Sequence, residues 1–149
     1  MRISVPSPLG PLVVEEEDGH LVRVIWSNAP GQGGSALLDE AAAQLAAYFA
    51  GARQVFDLPL RLSSALTGDV QQAMLSIPFG ETTTYGAIAR RLGVPAQAVG
   101  QACGANPLPV IVPCHRVLGA SGLGGFSAAG GVETKVWLLR HEGAAGLLI

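Results

Sequence analysis

The sequence predicts an α+β fold: a small N-terminal lobe with an antiparallel β-sheet and one helix, then a mostly helical C-terminal lobe containing a helix-turn-helix. Three observations carry that prediction. Leu12 to Glu17 and Leu21 to Trp26 flank Asp18-Gly19-His20, a hairpin signal. From Val70 onward, apolar residues recur at helical spacing. Two of those helical patterns are joined only by Gly93-Val94, the spacing of a helix-turn-helix. The boundary is expected between about residues 55 and 65, dividing the chain into 1–60 and 61–149.

In chain order, Pro6 to Pro11 is turn-rich and leads into the hairpin strands. Asn28 to Gly34 is a loop, after which Ser35 can cap a helix carrying Leu38, Ala41, Leu45, Tyr48 and Phe49, with Gly51 as its stop signal. Phe56 to Leu60 reads as extended chain crossing to the second lobe. There, Val70, Ala73, Met74 and Ile77 share one helix face, ended by Pro78 and Gly80. Thr84 caps the next helix, with Tyr85, Ile88, Ala89 and Leu92 on one face and Gly93 as its stop. Pro95 takes the first position of a third helix, with Ala98, Val99, Ala102 and Cys103 inward. Val110-Ile111-Val112 reads as a buried strand leading to Cys114. A glycine-rich loop spans Gly119 to Gly131, and a last helix runs from about Val132 to Glu142 with Val136 and Leu139 inward.

At 149 residues, 49% apolar and 13% charged, the chain is long enough to bury a core and is not a disordered polymer. It has no apolar run of the roughly 18 residues a membrane span needs, and its start lacks a signal-peptide pattern, so a cytoplasmic protein is expected. The two cysteines, Cys103 and Cys114, suit a reducing compartment. No paired C-x-x-C is present, and no metal site is expected. The net charge of −2 speaks mildly against nucleic acid as a partner, although a local basic patch can exist on an acidic protein.

Pro113-Cys114-His115-Arg116-Val117 carries most of the chemical information. Cys114 reads either as an inert buried thiol or as a nucleophile activated by His115 and Arg116. Neighbours on a strand point to opposite faces, so a water or a turn would have to link Cys114 to His115. Glu142 reads either as an exposed helix-end residue or as the carboxylate that orients His115. Asn106, before Pro107, reads either as a helix C-cap or as a tie between the preceding helix and the cysteine segment. Tyr85 can be core on its helix face, and His20 and His141 read as surface residues.

The ordered motifs resemble the O6-alkylguanine-DNA alkyltransferase family over nearly the whole chain. The matching segments are Ser7 to Leu12, Ile77 to Thr82 with Thr84-Tyr85-Gly86, Ala98-Val99-Gly100, Asn106-Pro107, the Cys114 pentapeptide, and Trp137 to Gly143. The resemblance implies a winged helix-turn-helix-like DNA-binding motif in the second lobe. It also implies a protein that flips O6-alkylguanine, and O4-alkylthymine, out of duplex DNA through the minor groove. The alkyl group then passes irreversibly to Cys114, with His115 as water-linked base, Glu142 as its partner, Asn106 bracing the turn and Tyr85 facing the base. DNA contacts are implied for Tyr85, Gln97, Ala98, Gly100, Gln101, Asn106 and Arg116. The implied pocket is bordered by Cys103, Pro109, Val117, Phe126 and Ser127. A monomer working without a metal or cofactor is implied.

One position departs from the family's pattern. The residue before Ala98-Val99-Gly100 is usually an arginine that enters the duplex in place of the flipped base, and here it is Gln97. Glutamine can fill the gap and hydrogen-bond but brings no charge. Three other readings compete: a damage-binding protein similar to the alkyltransferase-like proteins, which usually lack the cysteine; a cysteine hydrolase using Cys114 and His115; and a helix-turn-helix domain with an inert thiol.

Overall fold

Asp18 and Gly19 both adopt positive φ, 49° and 77°. A type I′ hairpin turn requires that pair of angles, and its twist matches that of the flanking strands. The turn joins β2 (Leu12–Glu17) to β3 (His20–Trp26), and β1 (Arg2–Val5) pairs antiparallel with the other edge of β2. The computed structural model of the chain describes residues 1–120, 122–126 and 130–144. It divides into two compact units, Met1–Arg61 and Leu62–Ile149.

In the first unit, α1 (Ala36–Phe49) packs against β1 and β2. Ser35 caps it, its hydroxyl accepting from the Leu38 N–H at 3.0 Å, a device contributing about 1 kcal/mol. Leu38, Ala41, Leu45 and Tyr48 of the helix and Leu12, Val14, Leu21 and Val24 of the sheet are all buried. The chain after α1 is held by buried Gln44, which donates to the Asp57 carbonyl (3.1 Å) and accepts from the Asp57 N–H (2.8 Å). Leu60 then bridges to Leu21 in parallel register, so residues up to Arg61 close the edge of this sheet.

The second unit is a set of helices around a short parallel ladder. In order they are α2 (Ala65–Leu75), β4 (Thr83–Thr84), α3 (Tyr85–Leu92), α4 (Ala96–Gly104), a 3-10 turn (Cys114–Arg116), β5 (Val117–Leu118) and α5 (Gly131–His141). Val70, Ala73, Met74 and Ile77 are all buried, as their spacing predicts. The Thr84 hydroxyl accepts from the Ala87 N–H at 3.0 Å, and Gly93 ends α3 in the left-handed region at φ 71°. α3 packs against α4, giving the helix-turn-helix. Pro95 sits just before α4 as its cap, one place ahead of the expected first position. β4 pairs with β5 in register Thr83↔Val117, clamping the chain that leaves Cys114 against the chain that enters α3.

The expected strand at Val110-Ile111-Val112 is not one. Val110 has φ 72°, a left-handed conformation that costs a β-branched residue about 1–2 kcal/mol. The Val112 N–H closes a turn onto the Leu108 carbonyl (2.8 Å). Pro113 then forms a tight turn, with the Cys114 N–H on the Val112 carbonyl at 2.8 Å. Three consecutive buried apolar residues carry the same signal whether the chain runs straight or coils. Here Asn106, not the β propensity of the run, decides.

Candidate active site

Asn106 is the residue that shapes the Cys114 turn. It is buried, and its amide donates to the Val112 carbonyl at 3.1 Å. Its carbonyl accepts from the Leu108 N–H and from the Gln71 side chain, both at 3.1 Å. Gln71 is itself fully buried and accepts from the Ser63 N–H at 2.7 Å. One side chain thus bonds both the start and the end of the loop between α4 and Cys114. These bonds reach beyond what a helix cap makes.

Cys114 heads the 3-10 turn and lines a cavity of about 430 Å³ together with Tyr85, Gly100, Cys103, Gly104, Gly125 and Phe126. That volume lies in the range of small-molecule sites. Burial pushes the Cys114 thiol up, while the Asn106 side chain and the Lys135 charge pull it back without cancelling the rise. Cys103 is pushed up to about 12 by burial and by its proximity to Cys114. Tyr85 is also raised, by burial first and then by the two thiols, so its phenol stays protonated at neutral pH. Its hydroxyl lies 3.5 Å from the Gly125 carbonyl, at the weak limit of a hydrogen bond.

On the 3-10 turn, His115 and Arg116 reach Glu142 at the end of α5 and are not among the described residues lining the cavity. His115 is fully buried with Nε2 2.8 Å from Glu142 Oε2. Arg116 places Nε 2.8 Å from Glu142 Oε1 and donates from its two terminal nitrogens to Glu142 Oε2 (3.0 Å) and the Ile77 carbonyl (2.6 Å). With its carboxylate forked by an arginine, Glu142 accepts and His115 Nε2 carries the proton. Nδ1 is then the lone-pair nitrogen, and it is buried with no hydrogen-bond partner among the described residues. Burial holds the His115 pKa below its ordinary value even against the pull of Glu142, so the ring is neutral at pH 7.

Arg116 therefore does not match the expected DNA contact. Its side chain is 9% exposed and all three guanidinium nitrogens are engaged inside the unit. The sequence could not tell a buried arginine from a surface one, because its partner is 26 residues away. Gln97 and Gln101 are exposed on α4, Ala98 and Gly100 are partly exposed, and Gly100 also reaches the cavity. Pro109 and Val117 are buried but are not among the described residues lining the cavity. Phe126 lines it, and Ser127 lies outside the described residues.

Sequence reasoning missed Lys135. It is fully buried, and Nζ donates to the Val117 carbonyl at 2.7 Å and the Gly125 carbonyl at 3.1 Å. The signal was present: Lys135 shares a helical face with Leu138, Leu139 and Glu142, all buried. The expected inward pair was Val136 and Leu139; Val136 is only half-buried and Leu138 takes its place. Gly124 was also missed. At φ 72° it lies so close to Tyr85 that an added Cβ would sit 2.9 Å from the ring, so only glycine lets the loop close on Tyr85. Among the described residues no cluster of His, Cys, Asp and Glu could hold a metal ion.

Comparison with known proteins assigns this arrangement. The family model described as 6-O-methylguanine DNA methyltransferase, DNA binding domain, matches residues 65–144, and its ribonuclease-like domain matches residues 2–62. The chain is 43% identical over 155 residues to a Mycobacterium leprae methylated-DNA–protein-cysteine methyltransferase, covering 93% of this chain and 90% of that protein. It is 50% identical over 108 residues to the Salmonella typhimurium protein of the same name, covering 67% of this chain and 60% of that protein. Among solved structures, the Mycobacterium tuberculosis O6-methylguanine methyltransferase superposes with a TM-score of 0.83 at 37% identity, covering 96% of this chain and 92% of that one. A Mycobacterium tuberculosis OGT in complex with DNA gives 0.84 at 39% identity over the same shares. These matches cover both units, and the Cys-His-Arg turn lies inside one of them: the chain belongs to the 6-O-methylguanine DNA methyltransferase family.

Proposed function

We propose that this protein repairs DNA by moving the alkyl group of O6-alkylguanine, and of O4-alkylthymine, onto the sulfur of Cys114. The observation that carries the reading is a cavity-lining thiol on the same 3-10 turn as a buried His115–Glu142–Arg116 relay. The oxygen to be dealkylated is hidden by stacking and pairing in duplex DNA, so the nucleotide must be turned out into the cavity. Bases are presented from the minor groove, with exposed Gln97 and Gln101 on α4 toward the duplex and Gln97 filling the gap. Tyr85, kept as a phenol, faces the extruded base as a hydrogen-bond donor.

The chemistry follows from the relay. The Cys114 proton passes through a water to His115 Nδ1, and the imidazolium is stabilised by Glu142, which Arg116 holds in place. The thiolate attacks the alkyl carbon. A C–S bond forms as the C–O bond breaks, the electron pair leaves on the base, and the base takes the proton back. The product is a thioether, with no group in the site able to remove the alkyl, so each molecule reacts once. The protein acts as a monomer, and the free thiols Cys103 and Cys114 suit a reducing cytoplasm. No helix among the described residues is long and apolar enough to cross a membrane.

The test is stoichiometry. Incubated with excess duplex containing O6-methylguanine, the protein is expected to restore one guanine per molecule and stop, and Cys114→Ser to restore none while still binding. Continuing turnover would replace this reading with a hydrolytic one.

A further inference from the structure

Lys135 is a fully buried ammonium whose hydrogen-bond acceptors are two neutral carbonyls, Val117 and Gly125, and no carboxylate pairs with it among the described residues. A buried charge held only by neutral dipoles leaves an unbalanced positive field in its surroundings. Lys135 does not itself line the cavity, but two groups it touches do. Nζ lies 5.8 Å from the centre of the Tyr85 ring, and Tyr85, Gly125, Cys103 and Cys114 all line the same space. The nearby groups on other elements do not supply that field. Arg116 is spent on Glu142, and the pair is neutral overall. His115 is uncharged at rest. On α5 itself, Glu133 is exposed.

We propose that Lys135 is the positioning residue that makes Cys114 a competent nucleophile: its ammonium, fixed between Val117 and Gly125, is the counter-charge for the thiolate that forms in the cavity. The proposal rests on the reading of Cys114 as the nucleophile. The charge interaction between Lys135 and the thiols has the sign the proposal needs. Lys135 pulls the Cys114 and Cys103 thiols toward ionisation, and both thiols pull Lys135 toward its charged form, each against the opposing effect of burial. His115 receives the proton, while Lys135 stabilises the anion left behind. The same ammonium ties Gly125 of the glycine-rich loop to Val117 at the exit of the cysteine turn. The loop position that borders the cavity and the charge that activates it are therefore set by one side chain.

The test uses the full-length protein and a small electrophile, so that it does not depend on DNA repair. Cys114 is alkylated with iodoacetamide from pH 6 to 10, and labelling is read at Cys114 by peptide mass spectrometry. An opposite charge nearby shifts a thiol by about one unit or more. Lys135→Met should therefore move the pH profile upward by about one unit, slowing labelling about ten-fold near neutral pH while the rates converge at high pH. Lys135→Arg, which keeps the charge, should restore most of the neutral-pH rate. A profile that keeps its midpoint and only drops in height at every pH would overturn the proposal and leave Lys135 a structural clasp. Should Lys135→Met fail to fold, Cys114→Ser reads the same coupling from the other partner: the Lys135 ammonium, followed by nitrogen NMR, should lose its proton at lower pH than in the parent, and an unchanged titration overturns the proposal. If the parent takes no methyl group from DNA, the repair reading fails, yet the labelling comparison still decides the part played by Lys135.

Discussion

Replacing Arg116 with methionine separates an internal arginine from a DNA-contacting one. The guanidinium makes two bonds to Glu142, at 2.8 and 3.0 Å, and one to the Ile77 carbonyl at 2.6 Å, with side-chain exposures of 9% for Arg116 and 0% for Glu142. Methionine keeps much of the apolar stem but leaves the buried carboxylate without its cation. Removing one member of a buried ion pair costs about 3–5 kcal/mol, a large share of the roughly 5–15 kcal/mol that holds a domain folded. The double variant Arg116→Met with Glu142→Gln removes the stranded charge and should recover about 1–3 kcal/mol of the loss. Urea unfolding read from Trp137 fluorescence in a Trp26→Phe background reports on the second unit, because Trp26 belongs to the first. Duplex affinity is measured in parallel. If Arg116→Met unfolds within about 0.5 kcal/mol of the parent and instead loses DNA affinity, the internal role is refuted and Arg116 is a surface contact after all.

Three further outcomes follow from the same site. Glu142→Gln should slow alkyl transfer more than it weakens DNA binding, since Glu142 acts through His115; transfer rates from pH 6 to 9 matching the parent would remove Glu142 from the mechanism. Gln97→Arg should raise the rate with duplex substrate while leaving the rate with a free alkylguanine analogue almost unchanged, because the added charge acts only where phosphates are near; equal changes in both rates would end the gap-filling argument. His115 should make the fold acid-sensitive: its folded pKa lies below its ordinary value of about 6.5, so below about pH 6.5 the unfolded chain binds a proton that the folded one refuses. Stability should therefore fall as pH drops from about 7 toward 5, less so in His115→Asn, and equal losses in both proteins would show that other groups carry the acid response.

What could be read from the sequence was local chemistry. A two-residue turn, a capping hydroxyl and a left-handed glycine each act within four residues, and Asp18-Gly19, Ser35, Thr84 and Gly93 all adopt the geometry their types suggest. The misreadings come from partners far along the chain. Val110 to Val112 looked like a strand because its β-branched residues outweigh any local turn signal, while Asn106, which bends it, acts across six residues through a side chain. The resemblance implied a DNA contact for Arg116, and nothing in its own neighbourhood marks it as internal, since arginine is a surface residue in most settings. Lys135 went unnoticed for the same reason. In both cases burial is made tolerable by acceptors 10 to 39 residues distant, a relation that spacing cannot reveal. The candidate nucleophile was legible from its motif. The balance of charge around it required the fold.

The central claim is that Cys114, and not its neighbour in the same cavity, receives the alkyl group. Both cysteines line that space, but Cys103 is pushed up to about 12 and its thiol points at the Met74 sulfur, 3.7 Å away. The most direct measurement is intact mass followed by peptide mapping after incubation with duplex carrying O6-methylguanine. The account predicts one methyl group per molecule, located on Cys114, with Cys103 unmodified. A methyl group on Cys103, or none on either thiol while the lesion disappears, would contradict it.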